Sequence, residues 1–133
     1  MVLLDTNVII HHIRRNTFCP PESFISIVTV GELKAFAMKN KWGTDKQSRL
    51  EKFLQSLPII DIGDKITDIY AEIDSFSQGL HSTQKLNSSA RNMGKNDLWI
   101  AATAYYFSMT LQTTDNDFDH LLSFGLKLDK TNF

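Results

Sequence analysis

Short apolar runs alternate along this chain with longer stretches in which apolar residues recur every three or four positions. The runs predict buried strands, and the longer spacing predicts amphipathic helices. The predicted strands cover residues 2–4, 24–28, 58–61, 109–113 and 126–128, and the predicted helices cover residues 5–13, 29–40, 49–57, 66–76, 96–107 and 116–123. This alternation predicts an α/β fold with three α/β/α layers around a central, mainly parallel sheet.

Residues 78–95 form a polar segment rich in Ser, Thr, Asn and Gly, which predicts a loop. The segment is too short for an interdomain linker, and the chain shows no internal repeat or low-complexity tract. A length of 133 residues suits one domain of ordinary size. The sequence therefore predicts a single domain over residues 1–133.

Composition and charge exclude several classes of protein. The apolar runs are far shorter than the roughly 20 residues that span a bilayer, so no membrane segment is expected. With 14 basic and 15 acidic residues, the net charge of -1 excludes the broad basic surface of a protein that coats DNA. The single cysteine, Cys19, excludes an intramolecular disulfide. The first residues lack the pattern of a signal peptide, and a cytoplasmic location is therefore expected.

The acidic residues are mostly Asp, with 11 Asp against 4 Glu, and four acids fall where predicted strands give way to helices. These four are Asp5, Glu32, Asp97 and Asp115. Ligands of parallel α/β sheets bind at the carboxyl ends of the strands, so we expect these side chains to converge. Converging carboxylates repel one another unless a cation lies between them, and an all-oxygen set suits Mg²⁺ or Mn²⁺.

Each acid also has a second explanation that involves no ligand. Asp5, Asp97 and Asp115 are each suited to cap a helix N-terminus, and Glu32 fits a capping box that begins at Thr29. An acid at such a position is more often a cap than a ligand when it is taken singly, and spacing along the sequence leaves both roles open.

Other site motifs are excluded. The segment that begins at Asp115 resembles a calcium loop, but its sixth position is His120 instead of Gly and its twelfth is Leu126 instead of Glu. No GxGxxG, Walker A or GxSxG sequence occurs.

Four segments together resemble the motifs of a known family. They are LLDTN at residues 3–7, TVGEL at 29–33, NDLWIAATA at 96–104 and TTDNDF at 113–118. In this order and at these intervals they resemble the four motifs of PIN-domain nucleases, and are most similar to those of VapC-type ribonuclease toxins of toxin–antitoxin pairs. The resemblance covers nearly the whole chain.

The resemblance implies a metal-dependent endoribonuclease with a PIN-like fold. Asp5, Glu32, Asp97 and Asp115 would be the catalytic residues and would hold one or two Mg²⁺ or Mn²⁺ ions, which promote hydrolysis of phosphodiester bonds. Three further residues would assist them: Asn7, Thr113 and Asp117. The implied partners are an RNA substrate, a cognate antitoxin protein and a second copy of the chain in a homodimer.

A small basic cluster precedes Asp97 in the polar segment. Lys85, Arg91 and Lys95 could bind the RNA backbone, or they could be solvated loop residues. Trp99 could stack on a base or pack in the core. Two other functions remain open: a stand-alone PIN-type nuclease for RNA processing, and a non-catalytic PIN-like binding domain whose acids only cap helices.

Overall fold

The computed structural model describes residues 1–133. Its strands are β1 (Val2–Leu4), β2 (Ser23–Ser26), β3 (Ile59–Ile60), β4 (Thr110–Thr113) and β5 (Lys127–Lys130). Its α-helices are α1 (Thr6–Arg15), α2 (Ile27–Lys39), α3 (Thr44–Ser56), α4 (Asp64–Ser77) and α5 (Lys95–Tyr106). A 3₁₀ helix covers Asn116–Leu122. The loop that the polar segment predicts is confirmed, because no helix or strand lies between α4 and α5.

The five strands form one sheet in the order β3-β2-β1-β4-β5, and every neighbouring pair is parallel. All strands therefore end at the same edge, which we call the carboxyl edge. The register between β1 and β4 pairs Leu4 with Gln112, so that Asp5 and Thr113 lie side by side where the two strands end.

Helices cover both faces of the sheet. Side chains alternate between the faces of a strand, so the neighbours Leu3 and Leu4 enter different cores. Leu3 belongs to a cluster of 16 buried residues with side chains from α4, α5 and the 3₁₀ helix, including Phe76, Ile100 and Leu121. Leu4 belongs to a cluster of 10 buried residues with side chains from α1, α2 and α3, including Ile9, Leu33 and Leu50. The predicted three-layer α/β/α architecture is confirmed.

The start of α2 differs from the sequence prediction. Strand β2 ends at Ser26, whose Oγ accepts a hydrogen bond from the Val28 amide at 3.1 Å and caps the helix. The predicted strand to residue 28 and the predicted capping box at Thr29 are therefore wrong. The β-branched residues at 27 and 28 favour a strand locally, but a serine N-cap together with packing on the sheet decides for a helix. As a result, Glu32 lies in the second turn of α2.

Three smaller differences concern the bounds or the type of single elements. Helix α3 begins at Thr44, five residues before the predicted start, because its first turn is polar and gives no apolar periodicity. Strand β5 begins at Lys127 and is mostly exposed at the sheet edge, where Leu128 pairs with Leu111. Residues 116–122 form a 3₁₀ helix. None of the helices combines the length and the apolar character that crossing a bilayer requires.

Candidate active site

The four predicted acids meet at the carboxyl edge of the sheet. Asp5 follows β1 directly, Asp115 lies two residues beyond β4, and Asp97 lies in the first turn of α5. Glu32 reaches the same place from the second turn of α2. All four line one cavity of about 810 Å³. The structure therefore brings together residues that are up to 110 positions apart in the sequence.

Two of the acids also cap helices. Asp5 Oδ1 accepts from the Thr6 amide at 2.8 Å, and Asp115 Oδ1 accepts from the Asp117 amide at 2.9 Å. The capping explanation is thus correct for the backbone contacts of these two residues. Capping uses one oxygen of each carboxylate, however, so it is compatible with a ligand role for the same residues.

Thr113 fixes two of the acids relative to each other. Its hydroxyl donates to Asp5 Oδ2 at 2.7 Å and accepts from the Asp115 amide at 3.0 Å. The side chain has no exposed surface, because it ends β4 between the two layers of helices. The hydroxyl therefore positions Asp5 through its carboxylate and Asp115 through its backbone.

Thr6 positions Glu32. The Thr6 hydroxyl donates to Glu32 Oε1 at 2.7 Å and so ties the first residue of α1 to α2. Sequence reasoning did not single out Thr6, although it stands directly after Asp5 in the first motif. Its role depends on α1 and α2 lying side by side, and the local pattern does not contain that information.

One carboxylate oxygen from each of Asp97, Asp115 and Asp117 lies within 4.8 Å of the others. Three anionic oxygens at this separation fit a shared divalent cation, and a donor set made only of oxygens is the kind that Mg²⁺ and Mn²⁺ prefer. The side chains present therefore fit the metal that the resemblance implies. Asp117, which the resemblance implies as an auxiliary residue, lies close to Asp97 and Asp115.

The electrostatics of the site show how closely these charges are held. The pKa of Asp97 is raised to about 7, first by burial and then by the nearby carboxylates, in the order Asp5, Asp115, Glu32 and Asp117. Burial also raises the pKa of Asp5, although its hydrogen bond from Thr113 acts in the opposite direction. A cation at the site would relieve this repulsion and hold Asp97 ionised.

The three predicted basic residues are not brought together around the cavity. Lys85 and Lys95 are exposed, and neither lines it. Arg91 alone contacts the acidic group, with its guanidinium 3.9 Å from Asp117 Oδ1. Its backbone is fixed by buried Ser77, whose carbonyl accepts from the Arg91 amide at 2.7 Å and whose hydroxyl donates to the Arg91 carbonyl at 2.9 Å.

Other side chains complete the wall of the cavity. The predicted auxiliary residue Asn7 lines it and is exposed. Trp99 both lines the cavity and packs against Tyr70, with ring centroids 4.3 Å apart, so it has a core contact and a cavity face. Lys39, from the last turn of α2, also lines the cavity, and sequence reasoning missed it because no motif surrounds it.

The fold and the site together define the class of protein: a parallel α/β/α domain with a carboxylate cluster at the carboxyl edge, suited to divalent cations. The family follows from comparison with known proteins. The model of the PIN domain family matches residues 2–121, and the chain therefore belongs to the PIN-domain family.

Known relatives agree with this assignment. The chain is 29% identical over 127 residues to ribonuclease VapC2 of Rickettsia felis, covering 85% of each protein. It is similar to the crystal structure of VapBC2 from Rickettsia felis bound to a promoter DNA fragment, with 27% identity, a TM-score of 0.73 and coverage of 99% and 100%. It also shares its fold with VapBC-5 of Mycobacterium tuberculosis, a member of the VapBC family of toxin–antitoxin systems, at 23% identity, a TM-score of 0.68 and 97% coverage of both. The predicted resemblance to VapC-type PIN proteins is confirmed.

Proposed function

We propose that this protein is an endoribonuclease that hydrolyses RNA phosphodiester bonds and acts as the toxin of a type II toxin–antitoxin pair. The observation that carries the proposal is the convergence of Asp5, Glu32, Asp97 and Asp115 on one cavity. The similarity to ribonuclease VapC2 supports RNA as the substrate class.

The proposed catalytic residues are the same four acids, which would hold one or two Mg²⁺ or Mn²⁺ ions. When bound, the ion would supply Lewis acidity, which acidifies the attacking water and stabilises negative charge on the phosphate and the leaving oxygen. The chain's own contribution is to hold the carboxylates in place. Thr113 fixes Asp5 and Asp115, and Thr6 fixes Glu32. Asn7 would assist at the cavity wall, and Asp117 would assist beside Asp97 and Asp115.

Three basic residues are proposed to bind the RNA backbone on the side of the polar loop. Arg91 is the nearest to the acids, because Ser77 holds its backbone and its guanidinium contacts Asp117. Lys95 begins α5 two residues before Asp97, and Lys85 lies further out in the loop. Positive charge beside a carboxylate cluster offsets the repulsion that approaching phosphates would meet.

The proposed protein partners are a cognate antitoxin and a second copy of the chain. Two of the similar proteins of known structure are VapBC proteins, and one of these two is described as a member of the VapBC family of toxin–antitoxin systems. Large apolar side chains are available for such contacts, since Met38 is 79% exposed and Leu80 is 75% exposed. Light scattering of the purified chain tests the homodimer, and the mass of a monomer would contradict it.

Incubation of the purified protein with separate tRNA, rRNA and mRNA pools tests the proposed activity. With Mn²⁺ or Mg²⁺ present, we expect discrete internal fragments from at least one pool, and addition of the antitoxin encoded beside it should stop the cleavage. Intact RNA in every pool at all metal concentrations would contradict the nuclease proposal. Cleavage that the antitoxin leaves unchanged would favour the stand-alone RNA-processing nuclease.

Substitution of Thr113 by valine tests the positioning of the acids. Valine keeps the shape but loses the hydroxyl, which leaves Asp5 Oδ2 and the Asp115 amide without their partner. We expect a loss of stability of about 1–3 kcal/mol and a fall in cleavage of about 10–100-fold. Thermal unfolding and cleavage rates measure the two effects. Thr113→Ser retains the hydroxyl and should stay near wild type, and a fully active valine variant would contradict the positioning role.

A further inference from the structure

The basic residue that lines the acidic cavity is Lys39, and none of the three predicted basic residues does so. Lys39 belongs to a stripe on α2 whose members all line the cavity: Glu32, Ala35, Phe36 and Lys39. The other three residues follow Glu32 by three, four and seven positions, which places all four on one face of the helix. This face carries a carboxylate at one end, an apolar strip in the middle and an ammonium group at the other end.

The stripe is long enough to contact an extended segment of a nucleic-acid strand, and it is longer than a single small ligand needs. Seven residues of α-helix separate Glu32 from Lys39, which corresponds to about 10 Å along the helix axis. Phe36 and Ala35 between them are half-buried, so they offer apolar surface on which a base or a ribose can lie. A ligand with one anionic group near the acidic end and a second at Lys39 would have an apolar unit between them. A polynucleotide has this form, because a nucleoside separates each phosphate from the next.

Lys39 is free to bind an anion. Its side chain is exposed, and no carboxylate lies within ion-pair distance of its ammonium group. Arg91 contacts Asp117 on the 3₁₀ helix and does not line the cavity. The two cations therefore belong to different elements, α2 and the polar loop, so the contacts they offer to an RNA strand are separate.

We propose that Lys39 binds a backbone phosphate of the RNA strand next to the one that is cleaved, with the intervening nucleotide against Phe36. The inference rests on the proposed function and extends it by assigning the course of the strand along α2. An ammonium group binds phosphate as a point charge, so the contact does not depend on the base and adds affinity for any sequence.

The test compares Lys39→Gln with Lys34→Gln in steady-state cleavage of a labelled single-stranded RNA. Both variants lose one positive charge from α2, but Lys34 lines a different surface hollow, beside Met38 and Gln47. For Lys39→Gln we expect KM to rise about 3–10-fold with little change in kcat, since the contact is with a phosphate that does not react. For Lys34→Gln both constants should match the wild type.

The salt dependence of kcat/KM distinguishes the loss of a phosphate contact from a general effect of the substitution on the protein. The slope of log(kcat/KM) against log[salt] should become shallower by about 0.7 for Lys39→Gln, as expected for one lost phosphate contact on a single strand. Lys39→Arg should retain the wild-type slope, because it keeps the charge. Thermal midpoints of all variants confirm that they are folded.

The outcomes distinguish this inference from the function on which it rests. Equal KM values and equal slopes for Lys39→Gln and Lys34→Gln, in a wild-type protein that cleaves RNA, would overturn the inference and leave the nuclease proposal standing. A Lys39→Gln variant with altered antitoxin affinity and an unchanged KM for RNA would also overturn it. Absence of cleavage by the wild type would overturn both.

Discussion

The Asp97→Asn variant is expected to lose RNA cleavage by at least about 100-fold, the upper end of what loss of an outer-shell partner costs a metal site. Asp97 lines the cavity with the other three proposed catalytic acids, and the charges of Asp5, Asp115, Glu32 and Asp117 all raise its pKa. An amide at this position is neutral and is a weaker ligand for a hard cation. The cleavage rate at saturating Mn²⁺ measures the effect. Asp5→Asn should behave in the same way.

A matched control for this substitution is Asp119→Asn. Asp119 lies in the adjacent 3₁₀ helix, but its carboxylate pairs with Lys130 at 2.8 Å and does not line the cavity. The variant removes the same charge from the neighbourhood of the site and should keep the wild-type rate. If Asp97→Asn and Asp119→Asn cleave equally well, the assignment of the site is wrong.

The same Asp97→Asn variant is expected to be more stable than the wild type when no metal is bound and the pH is above 7. The pKa of Asp97 is about 7 in the folded chain, against 3.8 for an unperturbed Asp, because burial and neighbouring carboxylates oppose its ionisation. Between these two pH values the folded state binds more protons than the unfolded state, so stability falls as the pH rises. This loss of stability is present in full above pH 7 and absent below about pH 3.8.

Thermal unfolding in EDTA at pH 4 and at pH 8 measures this effect. The asparagine variant should unfold at a higher temperature than the wild type at pH 8, by about 4 °C for each kcal/mol of relieved repulsion. The two proteins should unfold at similar temperatures at pH 4. Added Mn²⁺ should raise the midpoint of the wild type and have much less effect on the variant, because a ligand stabilises only the state that binds it. A wild-type advantage at pH 8 without metal would contradict the electrostatic argument.

The layered α/β/α architecture can be predicted from local patterns. Buried parallel strands are nearly continuous apolar runs, whereas amphipathic helices repeat their apolar residues every three or four positions. Val2–Leu4 and Thr110–Thr113 could be located in this way, and parallel pairing then brings their ends together. The boundary at Ser26 could not be predicted, since Ile27 and Val28 have the β-branched side chains of a strand. Their helical state depends on a cap and on packing with the sheet, which the local pattern does not contain.

The same limit separates the residues of the site that sequence predicted from those it missed. Asp5 and Asp115 stand at strand ends, and the geometry of parallel sheets places such positions together. Thr6 contacts Glu32, and Lys39 lines the cavity, because α2 lies beside α1. The spacing of these residues along the sequence does not indicate that arrangement. Charge along the polar segment predicted Lys85, Arg91 and Lys95 together, but of these three only Arg91 contacts an acid of the site, and its backbone is held by Ser77, which lies 14 residues away.

The carboxylates at the carboxyl edge are proposed to hold the metal with which this protein cleaves RNA. The most direct measurement is metal add-back: the protein is treated with EDTA, and the cleavage rate of one labelled RNA is followed as Mn²⁺ is restored. No cleavage is expected before Mn²⁺ is added, followed by a saturable return of activity over the concentration range that raises the thermal midpoint. Cleavage that persists at the full rate in EDTA would show that the carboxylates do not act through a bound metal.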